Sequence, residues 1–348
     1  MVWKGAILGV GNIALQAHVP AFQTDEFLRQ RVRIVAVVEP VEARHAAIRE
    51  RLPEARIYRD AADLFRSERL DFVDICAPPH VHRDLIRQAV RHGCHVLCEK
   101  PLAPRLSDAR AIARLLRDRP RVLMVCHQYR YAPVWQALRA LIAEGRLGPV
   151  GFADITVLRA GPDPGAGDWH PYWRVDARVS GGGILMDTGI HYIDLLRWIL
   201  GPPVAVWART QVVRYAGSGV EDTALVCLQY PAGWATLHLS WAAQGRQNRF
   251  FFIGPRATAL YDGGVLWLQA DGALTELVRE PLSDKSCYVR WYAGLFRDFV
   301  VRLEAWPASA GDDDPLEEAV ATLDILAACY RSARVHRWVP LVSTRPAC

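Results

Sequence analysis

The chain has 348 residues, 51% of them hydrophobic and 23% charged, a composition typical of soluble globular proteins and a length that suits about two domains. Its net charge of +5 is spread over scattered arginines with no lysine-rich tract, which argues against nucleic acid as a partner. No stretch reads as a leader, and the most apolar later segment, residues 181 to 200, contains Asp187, His191, Asp194 and Arg197. That segment is therefore a poor membrane span, and a cytoplasmic location is expected.

The first element is an apolar strand near Ala6 to Val10 that runs through Gly9-x-Gly11-x-x-Ala14 into a helix. Gly9 permits a tight turn, Gly11 lets the backbone approach a phosphate, and the small Ala14 lets helix pack on strand. The helix start, with Asn12 and Ile13, directs its N–H groups and positive dipole end at an anion. A second apolar strand, Val32 to Val38, ends at Glu39, where a carboxylate can accept from the adenosine ribose hydroxyls. That acid disfavours a 2′-phosphate, so NAD is expected over NADP. Arg44, nearby, leaves NADP possible.

Further strands are expected near Phe72 to Ala77, Val96 to Glu99 and Val122 to His127, with helices between them. Unalternating apolar strands joined by helices predict a parallel, doubly wound sheet of the Rossmann type over residues 1–126. Ligands bind outside the carboxyl ends of such strands, which places Ala77, Pro78, Glu99 and Lys100 at the cofactor crevice.

From residue 127 to 348 the texture changes. Alternating segments such as GFADITVLRA, TALVCLQY and WATLHLSW predict a large open, mostly antiparallel sheet with helices on one face, giving an α/β substrate-binding and oligomerisation domain. A last helix and strand are expected over about 315–342, with Asp314 as N-cap and Pro315 as first residue. Eight cysteines lie mostly in apolar runs and read as free thiols. His92, Cys94, His95 and Cys98 lack zinc-type spacing, so no metal is expected.

Glycines 181–183 open the segment ILMDTGIHYIDLLRWILG. In helical projection Asp187, His191, Asp194 and Trp198 share one face. Asp187 and His191 form a candidate acid–base pair, the carboxylate fixing the imidazole tautomer; a buried structural hydrogen bond is the alternative. The glycines before them would let a ligand approach the backbone. Asp194, further along, reads as structural.

Several ordered stretches, GVGNIA, APPHVH, HVLCEKPLA, YWRVD, GGGILMDTGIH and CYRSARVHRWVPL, resemble the Gfo/Idh/MocA family of nicotinamide-dependent sugar and polyol dehydrogenases. The resemblance implies a Rossmann domain, then an α/β domain that forms homodimers or homotetramers through its sheet. It also implies a catalytic set of Lys100, Asp187 and His191 lining the pocket of a carbohydrate or polyol substrate, with His82 at the cofactor. Tyr129, Trp169, His170 and Tyr172 read as further pocket residues because sugars bind aromatic faces and fixed polar groups, packing or loop roles being the alternative for Tyr129 and His170; Arg174 either shapes the pocket or makes a structural ion pair. Two alternatives use the same fold: a redox-assisted glycosidase or epimerase that recycles bound NAD, and a nonenzymatic NAD-sensing regulator.

Overall fold

The structure, a computed structural model, describes residues 1–165, 170–307 and 314–341. Two sheets organise it. The first is built from β1 (Trp3–Leu8), a π-helical turn (Ala14–His18) continuing into α1 (Val19–Thr24), α2 (Glu26–Arg31), β2 (Val32–Val38), α3 (His45–Arg51), β3 (Arg56–Tyr58), α4 (Ala61–Ser67), β4 (Phe72–Ile75), α5 (His82–Arg91), β5 (His95–Cys98), α6 (Leu106–Asp118) and β6 (Leu123–Val125). All its strands are parallel, in the order β3-β2-β1-β4-β5-β6, the doubly wound arrangement in which β1 and β4 flank the crevice. Strand β3 is a short edge strand that the apolar pattern does not reveal, because only its middle residue, Ile57, is aliphatic.

The second half contains α7 (Pro133–Ala143), β7 (Phe152–Leu158), α8 (Ala177–Ser180), a second π-helical turn (Leu185–Gly189) continuing into α9 (Ile190–Leu200), and β8 (Ala205–Gln211), β9 (Thr223–Tyr230), β10 (Gly233–Ser240), β11 (Gln247–Ile253), β12 (Thr258–Asp262), β13 (Val265–Ala270) and β14 (Ala273–Arg279). It closes with α10 (Tyr288–Ala305), α11 (Pro315–Val335) and β15 (Val339–Pro340). The nine strands run β14-β13-β12-β11-β7-β10-β9-β8-β15, and only the β7–β10 pair is parallel. One residue in two along β7 and β9 is buried, as the alternation requires for a sheet with one covered face.

Helix α10 binds the two halves together. Its Tyr292, Phe296, Phe299 and Leu303 share a core with Ala17, Phe22, Phe72 and Leu97 of the first half, and Phe22 stacks on Phe296 at 4.4 Å between ring centroids. A buried aromatic side chain contributes about 2 to 3 kcal/mol of burial free energy. This contact therefore fixes where the second half stands relative to the crevice. Asp314 accepts from Leu316 N as the N-cap of α11.

Candidate active site

The dinucleotide turn has the geometry its composition demands. Gly9 has φ +89°, and a Cβ there would lie 2.8 Å from the backbone of Ala77, so the turn between β1 and the helix packs directly on the loop after β4. At Gly11 a Cβ would meet nothing within 4 Å. That open space over a helix start, at the carboxyl edge of a parallel sheet, suits a pyrophosphate. Asn12 is exposed and Ile13 half-buried at the same edge.

Glu39 stands at the end of β2, buried, and its carboxylate accepts from Val10 N at 2.8 Å, Val41 N at 3.0 Å and Arg44 Nη1 at 3.2 Å. These bonds brace the acid against the glycine turn and draw Arg44 onto it.

Two expected cofactor residues serve the protein instead. His82 is wholly buried, its Nε2 2.7 Å from Ala77 O and its Nδ1 2.9 Å from Pro101 O. It braces the loops after β4 and β5 from below and has no free ring nitrogen to offer a cofactor. Glu99 is likewise buried. Its Oε1 is shared by His18 Nε2 at 3.0 Å and Tyr292 Oη at 2.5 Å, and its Oε2 accepts from Lys100 N at 3.1 Å. Sequence position put both residues at strand ends; side-chain direction turned them inward.

Lys100, next along the chain, points the other way. It lies across from the second π-helical turn, where Nζ donates to Asp187 O at 2.7 Å and Asp187 Oδ1 at 3.1 Å. Arg174 Nε reaches the same Oδ1 at 3.4 Å. Burial raises the pKa of the Asp187 carboxyl, but the charges of Lys100 and Arg174 outweigh it and hold the group well below the usual carboxylate range. The backbone at Asp187 is π-helical, not the regular helix that the projection assumed. Wide turns of this kind recur at functional sites, where they redirect side chains.

The expected hydrogen bond between Asp187 and His191 is not formed. Asp187 is taken by the two cations, and His191 Nδ1 is buried without a partner. The imidazole is held instead by Tyr129, stacked on it at 4.5 Å and 18°. Burial, then the charges of Lys100 and His127, push its pKa well below the ordinary histidine value, which favours the neutral ring. Tyr129 Oη in turn lies 3.3 Å from Tyr288 Oη.

The glycine triplet also has a different purpose from the expected one. A Cβ on Gly183 would run into the Glu221 backbone, so the glycine is needed for protein packing and not for ligand approach. The Glu221 carboxylate accepts from Gly183 N at 3.1 Å, Leu185 N at 3.0 Å and Tyr330 Oη at 2.8 Å. An acid from the segment just before β9 thus caps the helix that carries Asp187 and His191. Asp194 is structural, as its position implied: Arg130 grips it with bonds of 2.7 and 2.5 Å.

Of the remaining expected substrate residues, Arg174 joins the site. His170 lies 3.8 Å from Asp176, Tyr172 is 72% exposed and outside the cluster, and Trp169 falls outside the described residues. Cys94 and Cys98 lie in the core, and His92 stacks on Phe65 at 4.8 Å. Sequence reasoning missed His18, Asp74, Glu221 and Tyr292. The only signal was a histidine and acids inside otherwise apolar segments.

Comparison with known proteins agrees with this fold. Residues 3–127 match the oxidoreductase family with an NAD-binding Rossmann fold, and residues 135–260 match the GFO/IDH/MocA C-terminal domain. D-apiose dehydrogenase of Paraburkholderia graminis is 30% identical, the match covering 98% of this chain and 90% of the relative. D-glucoside 3-dehydrogenase of Escherichia coli is 25% identical, covering 97% of both chains. A crystal structure of an oxidoreductase from Agrobacterium radiobacter in complex with NAD+, L-tartaric acid and magnesium has the same fold, with a TM-score of 0.85, 24% identity and 98% of each chain covered. With both halves matched in order along the chain, the protein belongs to the Gfo/Idh/MocA family of nicotinamide-dependent oxidoreductases.

Proposed function

We propose that this enzyme interconverts a secondary alcohol and a ketone, or a hemiacetal hydroxyl and a lactone, on a sugar, polyol or inositol, with NAD as its cofactor. The observation that carries this reading is the convergence of Lys100, from the loop after β5, with Asp187 and His191 of the second half. The dehydrogenase relatives above support the carbohydrate class.

The residues around the turn fit a dinucleotide: Gly9, Gly11, Asn12 and Ile13 would hold the pyrophosphate, Glu39 and Arg44 the adenosine ribose, and Ala77 and Pro78 line the crevice between. When bound, the nicotinamide supplies the hydride acceptor. The chain's own residues manage the proton. His191, kept neutral by its surroundings, takes the hydroxyl proton. Lys100 donates to the same oxygen and stabilises its developing negative charge. Asp187 anchors the Lys100 ammonium and, with Arg174, fixes where it points, while Tyr129 holds the imidazole plane. Arg174 and Tyr129 also border the substrate.

Residues 1–126 would serve as the cofactor domain and 127–348 as the substrate and assembly domain, with α10 returning to pack on the first sheet. The open face of the second sheet suits a homo-oligomer. Phe152, Trp234 and Ile253 are register partners on neighbouring strands and are 37%, 44% and 40% exposed, an apolar rung of the kind that marks an interface. All seven cysteines among the described residues are free, in keeping with the cytoplasm, and no helix among those residues is long and apolar enough to cross a membrane.

The test is incubation of the pure protein with aldoses, glycosides, polyols and inositols plus NAD or NADP. Stoichiometric NADH formation with one class establishes a dehydrogenase. Product formation without net NADH would replace it by the transient-redox reading, and nucleotide binding without any turnover by the regulator.

A further inference from the structure

The most heavily buried charge cluster in the described residues lies beneath the site, not in it. His18, the last residue of the first π-helical turn, is wholly buried, with Nδ1 2.8 Å from Asp74 Oδ2 and Nε2 3.0 Å from Glu99 Oε1. Each ring nitrogen thus faces a carboxylate oxygen. A neutral imidazole would set one lone pair against a carboxylate, so both nitrogens carry protons and the ring is an imidazolium. Burial by itself lowers the His18 pKa, but the two carboxylates overcome it and raise the value to about 9. The ring is clamped by Tyr292 at 4.3 Å and Phe296 at 5.0 Å between centroids, both from α10.

The partners give the cluster its meaning. Asp74 belongs to β4, in register with Ile7 of β1 and Leu97 of β5, so it is fixed to the centre of the sheet. Glu99 begins the loop that presents Lys100, and its Oε2 accepts from Lys100 N. His18 itself ends the turn that begins three residues after Gly11. The cation therefore spans the sheet centre, the dinucleotide turn and the backbone of the lysine that meets the substrate oxygen.

We propose that His18 is a positioning residue for hydride transfer, its buried cation locking Glu99, and through it the Lys100 backbone, to the helix that starts at the dinucleotide turn. The proposal rests on the assignment of Lys100 to the substrate oxygen. Without the His18 charge, Glu99 and Asp74 lose the cation they share, and Glu99, left with Tyr292 and the Lys100 N–H, must turn, taking up a proton or water. Lys100 then loses its fixed origin, and displacement of a catalytic group by about 1 Å is enough to cost on the order of 100-fold in rate.

The test compares His18→Gln and Lys100→Met, with Tyr292→Phe as a milder perturbation that keeps the ring on His18 and removes only its hydroxyl from Glu99, and the two double variants that place His18→Gln or Tyr292→Phe in the Lys100→Met background. Steady-state turnover at saturating NAD, the KM for the alcohol, NAD binding by fluorescence titration and the metal content of each protein are measured. Expected are a fall in kcat of about 10- to 100-fold for His18→Gln and a few-fold for Tyr292→Phe, with KM for the alcohol changed less than about threefold. In the Lys100→Met background neither change should lower the residual rate further. Equal losses in both backgrounds would overturn the proposal, since damage to the fold does not depend on Lys100, and so would wild-type kcat in both His18→Gln and Tyr292→Phe. A stoichiometric metal ion present in the wild type and lost in His18→Gln would also overturn it, by making His18 a ligand instead of a cation. Wild-type turnover by Lys100→Met would instead remove Lys100 from the reaction, which is read directly from that single variant.

Discussion

Lys100 and Asp187 meet twice, the ammonium donating to the carboxylate at 3.1 Å and to the main-chain carbonyl of the same residue at 2.7 Å. Two acceptors on one residue fix the ammonium in direction as well as position, and the second does not depend on the Asp187 side chain. Lys100→Met removes the donor and should lower kcat by about 100- to 1,000-fold, the loss typical of one oxyanion donor, with NAD binding retained. Asp187→Asn keeps the carbonyl contact and should cost less than Lys100→Met. Comparison of kcat for the two variants tests that ranking.

His191 supplies the pH dependence. Its pKa is pushed well below the ordinary value by burial first and then by Lys100. A histidine that must be neutral loses activity only as pH falls through its lowered pKa. The acid limb of kcat for alcohol oxidation should therefore lie well below pH 6.5. Replacing Lys100 by Met removes one depressing charge and should move that limb upward in any residual activity. A limb at the ordinary histidine value in the wild type would contradict the observed environment.

His18 makes an opposite prediction, for stability. Its folded pKa is raised from 6.5 to about 9, so its stabilising contribution is complete below pH 6.5 and is lost as pH rises through about 9. The difference corresponds to about 3 kcal/mol. Denaturant unfolding of the wild type between pH 6 and pH 10 should show a loss of that order that is missing in His18→Gln.

Glu221 caps the helix of Asp187 and His191 from outside that helix. Glu221→Ala leaves Gly183 N and Leu185 N without their acceptor, at an expected cost of about 1 to 3 kcal/mol. Glu221→Gln keeps one acceptor oxygen and should recover part of it. Thermal unfolding of the two variants gives the comparison.

Glu39 tests the cofactor assignment. Glu39→Ala should raise the Kd for NAD by about 10-fold or more, since hydrogen bonds to a charged group are worth about 1.5 to 3 kcal/mol. It should also release Arg44 toward a 2′-phosphate and narrow the preference for NAD over NADP. Titration with both nucleotides checks the two effects separately.

What the sequence by itself determined was whatever depends on spacing along one element. The parallel first sheet followed from apolar runs separated by helices, the mostly antiparallel second sheet from alternation, and the dinucleotide turn from Gly9 and Gly11, because backbone conformation and strand period are local properties. The position of Lys100 at a strand end, and of Asp187 and His191 as polar residues in an apolar segment, was legible too.

Only the tertiary structure decided which way these side chains point and what they meet. The strand ends at Glu99 and Pro78 looked alike as places for a ligand, yet Glu99 turns into the core because His18 and Tyr292, 81 and 193 residues away in the chain, offer it a cation and a hydroxyl there. Asp187 and His191, one turn apart, looked like a hydrogen-bonded pair. Lys100 and Arg174 take the carboxylate and Tyr129 takes the ring. A buried charge goes to the partner that best offsets its lost hydration, and those partners are assembled by packing between distant segments, where no local pattern in the sequence records them.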